Sequence, residues 1–200
     1  MNNPELIAHR VNTVKELRRL APGIGVELDL RDHGEELILA HDPFIEGEKF
    51  DDFLKEYDDR GTLILNIKSE RIEYRVLELI QKYSVSKYFF LDSSFPMINK
   101  LTEMGENNIA LRYSEYEGLD TLRSMAGKIK WVWVDCFTRL PLTKEIETTI
   151  HDLGYKLCLV SPELQGRPDD IIQYRNFLEE NMIELDAICS KVQYQEIWRQ

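Results

Sequence analysis

Four side chains that could carry out acid–base and metal chemistry lie close together near the start of the chain. The stretch IAHR contains His9, and the stretch ELDLRDHGEELILAHD contains Glu27, Asp29 and His41. A histidine can both accept and donate a proton near neutral pH, because its unperturbed pKa is about 6.5. Two carboxylates without a neighbouring cysteine ligand suit Mg²⁺ or Ca²⁺ better than Zn²⁺. These residue types therefore predict proton transfer beside a divalent cation.

These polar residues stand within or at the ends of short apolar runs that read as strands. The runs cover residues 5–9, 24–30, 62–68, 87–92, 108–113, 131–135, 155–160 and 185–190, with one extra run at 36–41. Stretches with helical spacing of apolar residues lie between them, at 12–21, 72–83, 96–104, 142–154 and 168–181. Strands that alternate with helices predict βα units and a parallel sheet.

The number of these units predicts a closed barrel. Eight strand–helix units are the number that forms a (β/α)₈ TIM barrel, and 200 residues are at the lower end of what this fold requires. We therefore predict an α/β protein with a compact, short-looped barrel in a single domain over residues 1–200. The alternative is an open doubly wound sheet, but the sequence has neither a G-x-G-x-x-G motif nor a Walker A motif.

The carboxyl ends of barrel strands are where catalytic groups lie, and here these ends are polar. The predicted strand ends carry, in order, His9-Arg10, Glu27 and Asp29, Asn66 and Lys68, Asp92, Arg112, Asp135, Ser161 and Glu163, and Ser190-Lys191. Residues two apart on a strand share a face, so Glu27 and Asp29 are predicted to point inwards together, as are Asn66 and Lys68. Buried carboxylates are costly unless they are compensated, and a metal ion would compensate them. Lys68 could instead form a salt bridge with Glu27 or Asp29.

Charge and cysteine content limit the class of protein. The net charge is −11 and the pI about 4.9, which argues against nucleic acid or an anionic membrane as the main partner. Local cations can still capture an anionic small substrate. Cys136, Cys158 and Cys189 are predicted to be buried reduced thiols, which suits the cytoplasm. No signal peptide and no apolar run of roughly 18 residues is found, so no transmembrane segment is expected.

Several of these motifs, taken together, resemble the glycerophosphodiester phosphodiesterase family, within the phosphatidylinositol phospholipase C-like superfamily. The family signals H-R, N-T, E-x-D, a turn with glycine, and H-D correspond to His9-Arg10, Asn12-Thr13, Glu27-Leu28-Asp29, His33-Gly34 and His41-Asp42. The later stretches LNIK, DSSF and LGYKLCLV also resemble the family, so the likeness covers nearly the whole chain.

The resemblance implies a role for each of these residues. His9 and His41 would be the acid–base pair, one accepting a proton from the nucleophile and the other donating to the leaving alkoxide. The metal ligands would be Glu27, Asp29 and Asn66, and the cation Mg²⁺ or Ca²⁺. Arg10 and Lys68 would bind the substrate phosphate. In a glycerophosphodiester the neighbouring hydroxyl can attack first and give a cyclic intermediate. His33 and His151 are predicted to be surface residues without a role.

Two departures from the family pattern keep other functions open. Val11 stands where the family has glycine, and Asn66 stands where it usually has a metal-binding glutamate. A first alternative is therefore a catalytically degenerate relative that binds a phosphorylated ligand or a protein partner. A second is a lyase that forms a Schiff base through Lys68. The leaving alcohol, the identity of the metal and the oligomeric state do not follow from the sequence.

Overall fold

A computed structural model describes residues 3–58 and 60–199 of the chain. Each predicted strand is present in it. The strands are β1 (Glu5–Ala8), β2 (Gly25–His33), β3 (Glu36–Leu39), β4 (Glu48–Lys49), β5 (Leu63–Ile67), β6 (Tyr88–Leu91), β7 (Ala110–Tyr113), β8 (Trp131–Val134), β9 (Lys156–Val160) and β10 (Ala187–Ser190). The helices are α1 (Val14–Leu17), α2 (Phe50–Glu56), α3 (Glu73–Lys82), α4 (Phe95–Glu103), α5 (Leu119–Met125), α6 (Lys144–Asp152), α7 (Asp170–Glu180) and α8 (Gln195–Arg199), with 3₁₀ turns at Pro162–Gln165 and Val192–Tyr194.

Side-chain caps start two of the predicted helices. The Thr143 side chain accepts a hydrogen bond from the Ile146 amide at 3.3 Å at the start of α6, and Thr13 accepts one from the Glu16 amide at 3.2 Å at the start of α1. Helix α1 is much shorter than the predicted stretch 12–21. Its chain turns soon afterwards at Pro22 and Gly23, where Gly23 has φ +82°.

One compact unit, here called the N-terminal unit, contains residues 8–105. Its strands are ordered β4-β3-β2-β5-β6. Strand β2 pairs in parallel with β5 and antiparallel with β3, and β5 pairs in parallel with β6. Val26, Leu28 and Leu30 are fully buried on β2, as their alternation with Glu27 and Asp29 predicts. This unit carries most of the predicted site residues.

The other compact unit, here called the C-terminal unit, contains the described residues among 1–7 and 106–200. Its strands are ordered β1-β10-β9-β8-β7, and β7 to β10 are parallel. Cys136, Cys158 and Cys189 are reduced and buried in it, as predicted. The expectation of one domain over residues 1–200 stays a prediction. In the described part of the chain, no helix combines the length and the apolar character that a bilayer crossing requires.

Candidate active site

The centre of the candidate site is a pair of buried carboxylates on β2. The side chains of Glu27 and Asp29 are 0% and 1% exposed, and both point to the same face of the strand. Strand β5 lies beside β2 with Asp29 opposite Asn66 in parallel register. The two segments therefore lie side by side, although β2 continues to His33, so that Glu27 and Asp29 lie within the strand and not at its end.

Glu27 is enclosed by residues from two neighbouring segments. Its Oε1 accepts a hydrogen bond from Asn66 Nδ2 at 2.8 Å, and its Oε2 accepts one from the Arg10 amide at 2.7 Å. His9 Nε2 lies 3.7 Å from the same Oε2. Burial, followed by the charge of Asp29, raises the pKa of Glu27 to about 7, although the two hydrogen bonds act in the opposite direction. Burial thus disfavours the charged form of this carboxyl group.

Asp29 is held by an amide and faces two cations. Asn12 Nδ2 donates to Asp29 Oδ2 at 2.9 Å, and the Asp29 amide donates to Asn12 Oδ1 at 2.9 Å. Arg10 Nε is 3.6 Å from Oδ2, and Lys68 Nζ is 3.7 Å from Oδ1. A contact between Asn12 and Asp29 did not follow from the sequence. Only the place of Asn12 in the N-T motif, beside His9-Arg10, singled this residue out.

Of the two ion pairs that the sequence left open for Lys68, the structure shows the one with Asp29. Besides Asp29, its Nζ approaches Asp92 Oδ2 at 3.4 Å, at the carboxyl end of β6. Arg10 and Asp92 both have left-handed backbone conformations, with φ of +55° and +62°. Such conformations are costly for residues other than glycine and persist where surrounding contacts impose them, which is common at functional sites.

Arg31 links the two segments that carry His41 and Lys68. Its Nε and Nη2 donate to the His41 carbonyl oxygen at 3.1 and 2.9 Å, and its Nη1 donates to the Lys68 carbonyl oxygen at 2.9 Å. His41 Nδ1 lies 2.8 Å from Asp42 Oδ1, and this hydrogen bond lowers the pKa of the Asp42 carboxyl group. Sequence reasoning missed Arg31. Its position two residues after Asp29, and therefore on the same strand face, was the available signal.

The residues predicted to hold a divalent cation offer only oxygen ligands. Asn66 uses Nδ2 to bind Glu27, whereas its buried Oδ1 has no hydrogen-bond partner among the described residues. Between residues 3 and 199, Asp59 apart, no group of three or more His, Cys, Asp or Glu side chains has the arrangement of a metal site. Two carboxylates with one unpartnered amide oxygen nevertheless form a donor set whose chemistry fits Mg²⁺ or Ca²⁺.

The polar strand ends of the C-terminal unit form contacts of their own. Arg112 pairs with Asp135 at the ends of β7 and β8. Glu163 accepts hydrogen bonds from Ser190 Oγ at 2.8 Å and from the Lys191 amide at 2.9 Å. These hydrogen bonds fasten the segments that follow β9 and β10.

Of the two histidines that were given no role, His33 is exposed and His151 is half-buried. The side chain of His33, the last residue of β2, is 54% exposed. His151 lies on α6, where its Nδ1 is 3.0 Å from Glu147 Oε1. Neither belongs to the carboxylate pair on β2.

Comparison with known proteins places this arrangement within a known fold. No family model and no curated protein matches the chain. A glycerophosphodiester phosphodiesterase from Thermotoga maritima superposes with a TM-score of 0.70 at 14% identity, covering 100% of both chains. One from Agrobacterium tumefaciens str. C58 gives 0.68 at 14% identity, covering 93% of this chain and 96% of that one. One from Parabacteroides distasonis ATCC 8503 gives 0.68 at 12% identity, covering 97% and 85%. The predicted resemblance is thus confirmed in the fold, and the chain has the (β/α)₈ barrel fold of these glycerophosphodiester phosphodiesterases.

Proposed function

We propose that the protein is a metal-dependent phosphodiester hydrolase that acts on small substrates of the glycerophosphodiester type. The observation that carries the proposal is the grouping on one face of β2 and β5. His9 lies beside the Glu27 carboxylate, and the cations Arg10 and Lys68 flank Asp29. An anion placed between these two cations would lie next to a proton-transfer group. The fold shared with solved glycerophosphodiester phosphodiesterases supports the same activity.

Arg10 and Lys68 are proposed to bind the phosphate of the substrate. The Arg10 side chain is 47% exposed and can reach an incoming ligand, whereas the Lys68 side chain is 18% exposed. Both cations already face a carboxylate, so a phosphate would join an existing charge network. Their contribution is positional as well as electrostatic, because the reacting bond must lie within reach of the histidines.

His9 and His41 are proposed to move the two protons of the reaction. One accepts the proton of the attacking hydroxyl group and the other donates a proton to the leaving alkoxide. Asp42 binds Nδ1 of His41, which fixes the imidazole ring and leaves Nε2 for the substrate. The carboxylate of Glu27 beside His9 would stabilise a positively charged imidazole there.

Glu27, Asp29 and Asn66 would hold Mg²⁺ or Ca²⁺. Such an ion, when bound, supplies positive charge that neutralises the phosphoryl oxygens. The chain's own part is to gather three oxygen-bearing side chains on the paired strands β2 and β5 and to keep them buried. We further propose a cytoplasmic location, in keeping with the three buried reduced cysteines, and no nucleic-acid partner, in keeping with the net charge of −11.

Hydrolysis of a panel of glycerophosphodiesters in Mg²⁺ or Ca²⁺ tests this proposal. His9→Ala and His41→Ala should each lower kcat by roughly 100-fold or more, since general acid–base groups contribute about 10²–10⁴-fold. His33→Ala is the matched control, because His33 is an exposed histidine outside the site. If the wild-type protein hydrolyses no diester, or if the two variants match the control, the enzyme proposal is wrong.

Calorimetry separates hydrolysis from binding alone. Titration with Mg²⁺, Ca²⁺ and glycerol phosphates should show metal binding that is weakened in Glu27→Gln. Binding without turnover would instead favour the degenerate relative that binds a phosphorylated ligand. That alternative is motivated by Asn66, whose amide replaces a carboxylate as the third ligand.

A further inference from the structure

A cavity of about 160 Å³ in the C-terminal unit is bordered by α7, α8 and β10. Its wall includes five buried apolar side chains, those of Leu178, Ile183, Leu185, Ile188 and Trp198. Apolar cavities of roughly 150 Å³ in protein interiors are large enough to hold one benzene ring. The cavity therefore has the size and the lining for a ligand with a single small ring.

The aromatic part of this wall is held by contacts outside the cavity. Trp198 is 7% exposed, and its Nε1 donates a hydrogen bond to Ser161 Oγ at 2.8 Å. Ser161 Oγ in turn donates to the Glu163 carboxylate. Because the indole is already fixed, a ligand ring would pack against a preformed surface and would not have to order it.

Arg175 brings a cation to the lining of the cavity. Its Nη1 donates to the Ile197 carbonyl oxygen of α8 at 2.9 Å. Its buried Nε, by contrast, has no hydrogen-bond partner among the residues that the structure describes, and Glu179 Oε1 lies 4.0 Å from it. A buried donor without an acceptor is unfavourable, and a carboxylate can satisfy Nε together with a neighbouring guanidinium nitrogen.

The other charges of the lining favour an anion at Arg175 over a cation elsewhere. Glu179 and Glu184 are exposed, so a ligand cation would gain little by pairing with them, as in other exposed ion pairs. Arg199, a second arginine of the lining, already pairs with Glu196. The side chain of Arg175 is only 22% exposed, so water screens its charge less and a partner there contributes more.

We propose that this cavity is a binding site for a small aromatic carboxylate. The ring would lie among the apolar side chains beside Trp198, and the carboxylate would pair with Arg175. None of the described residues that line the cavity is among those proposed for hydrolysis, so the inference does not depend on that function.

The location of the site is tested by ¹⁹F NMR on protein labelled with 5-fluorotryptophan. Trp198→Phe assigns the resonance of Trp198, and Trp131 and Trp133 on β8 serve as internal references. Phenylacetate should shift the Trp198 resonance in a saturable way, with a Kd of ~1 mM or below, whereas acetate should not. No shift at Trp198 up to the solubility limit of phenylacetate, or a shift confined to Trp131 or Trp133, would overturn the inference.

The preference for an anion is tested by comparing phenylacetate with phenylacetamide, its neutral isostere. The wild-type protein should bind the carboxylate about tenfold more tightly or better, because the ion pair with Arg175 includes charge-assisted hydrogen bonds. Arg175→Met should bring the two affinities together, whereas Arg123→Met, at an exposed arginine on α5, should keep the wild-type ratio.

Equal affinities for the two ligands in the wild-type protein would show a merely apolar cavity and contradict the proposal. An unchanged ratio in Arg175→Met would contradict it as well. Loss of the bond from Arg175 to Ile197 could weaken α8. The wild-type comparison needs no variant, so it decides the question even if Arg175→Met is unstable.

Discussion

Asn12 and Asp29 are joined by two hydrogen bonds of equal length, both 2.9 Å, one through the side-chain carboxylate of Asp29 and one through its backbone amide. The side-chain amide of Asn12 thus donates to the carboxylate of Asp29 and accepts from the backbone N–H of the same residue. Because Asp29 is almost completely buried, no solvent can replace these bonds. The position of a candidate metal ligand is therefore set by a residue that reaches it from the loop after β1.

Replacing Asn12 by the isosteric but apolar Leu should destabilise the fold and the site together. The buried backbone N–H and carboxylate oxygen of Asp29 would lose their Asn12 partners, which should lower the free energy of unfolding by about 1–3 kcal/mol in urea titrations. The affinity of the protein for Mg²⁺ should also fall. Asn99→Leu is the control, since Asn99 makes one exposed side-chain hydrogen bond, to Glu103. Equal effects in both variants would contradict the role given to Asn12.

Arg31 should act as a positioning residue for both His41 and Lys68, because it binds their backbone carbonyl oxygens. Arg31→Lys keeps the charge but loses the planar set of donors that reaches two carbonyl oxygens. We expect kcat to fall 10-fold or more through His41 and KM to rise through Lys68, with Arg31→Met affected to a similar extent. Arg139→Lys, at an exposed arginine, controls for the change of residue type. Wild-type kinetics in Arg31→Lys would show that charge alone matters.

The contacts of Asn12 and Arg31 mark where sequence reasoning ends. The alternation on β2 correctly predicts that Glu27 and Asp29 share a face, because that follows from strand geometry alone. The register that sets Asn66 opposite Asp29 depends on pairing between separate strands, and no local pattern encodes it. The hydrogen bonds of Arg31 depend on where the chain returns after the β2–β3 hairpin.

The roles assigned to His9 and His41 stay predictions that rest on the resemblance. The structure places His9 beside Glu27 and attaches His41 to Arg31 and Asp42, which are local facts that spacing did not reveal. The short α1 likewise escaped the helical pattern. After Leu17 the amides of Arg19 and Leu20 bond three residues back, to the carbonyl oxygens of Glu16 and Leu17, and form a turn in place of a further helical turn. The spacing of apolar residues predicts strands and helices well, whereas side-chain contacts between separate strands and loops can be predicted only once the fold is known.

Glu27 should make the stability of the metal-free protein depend on pH. Its pKa is raised from 4.5 to about 7 in the folded state, so between these values the native state binds more protons than the unfolded state. Its contribution to the free energy of unfolding is thus fully present below pH 4.5. It is lost as pH rises to 7, on the order of 3 kcal/mol for this interval.

Urea unfolding in EDTA across this range measures the effect of Glu27. Glu27→Gln cannot titrate, so the fall in stability between pH 4.5 and 7 should become shallower even if the variant is less stable throughout. The slope, and not the absolute stability, is the quantity to compare. Glu73→Gln is the control at another buried glutamate. A wild-type slope in Glu27→Gln would show that other groups cause the pH dependence.

The three cysteines should be unreactive until the protein unfolds. Burial raises the pKa of the Cys136 thiol to about 12, and its Sγ donates a hydrogen bond to the Val160 carbonyl oxygen at 3.2 Å. Cys158 and Cys189 are fully buried on β9 and β10. Thiolate is the reactive form, so at pH 8 neither charge nor access favours reaction. A disulfide reagent should therefore label no thiol in the native protein and three in urea.

Met104→Cys, at an exposed residue, should add one rapidly labelled thiol and serves as the positive control. Rapid labelling of any native cysteine would show that the strands of the C-terminal unit open more readily than their burial implies.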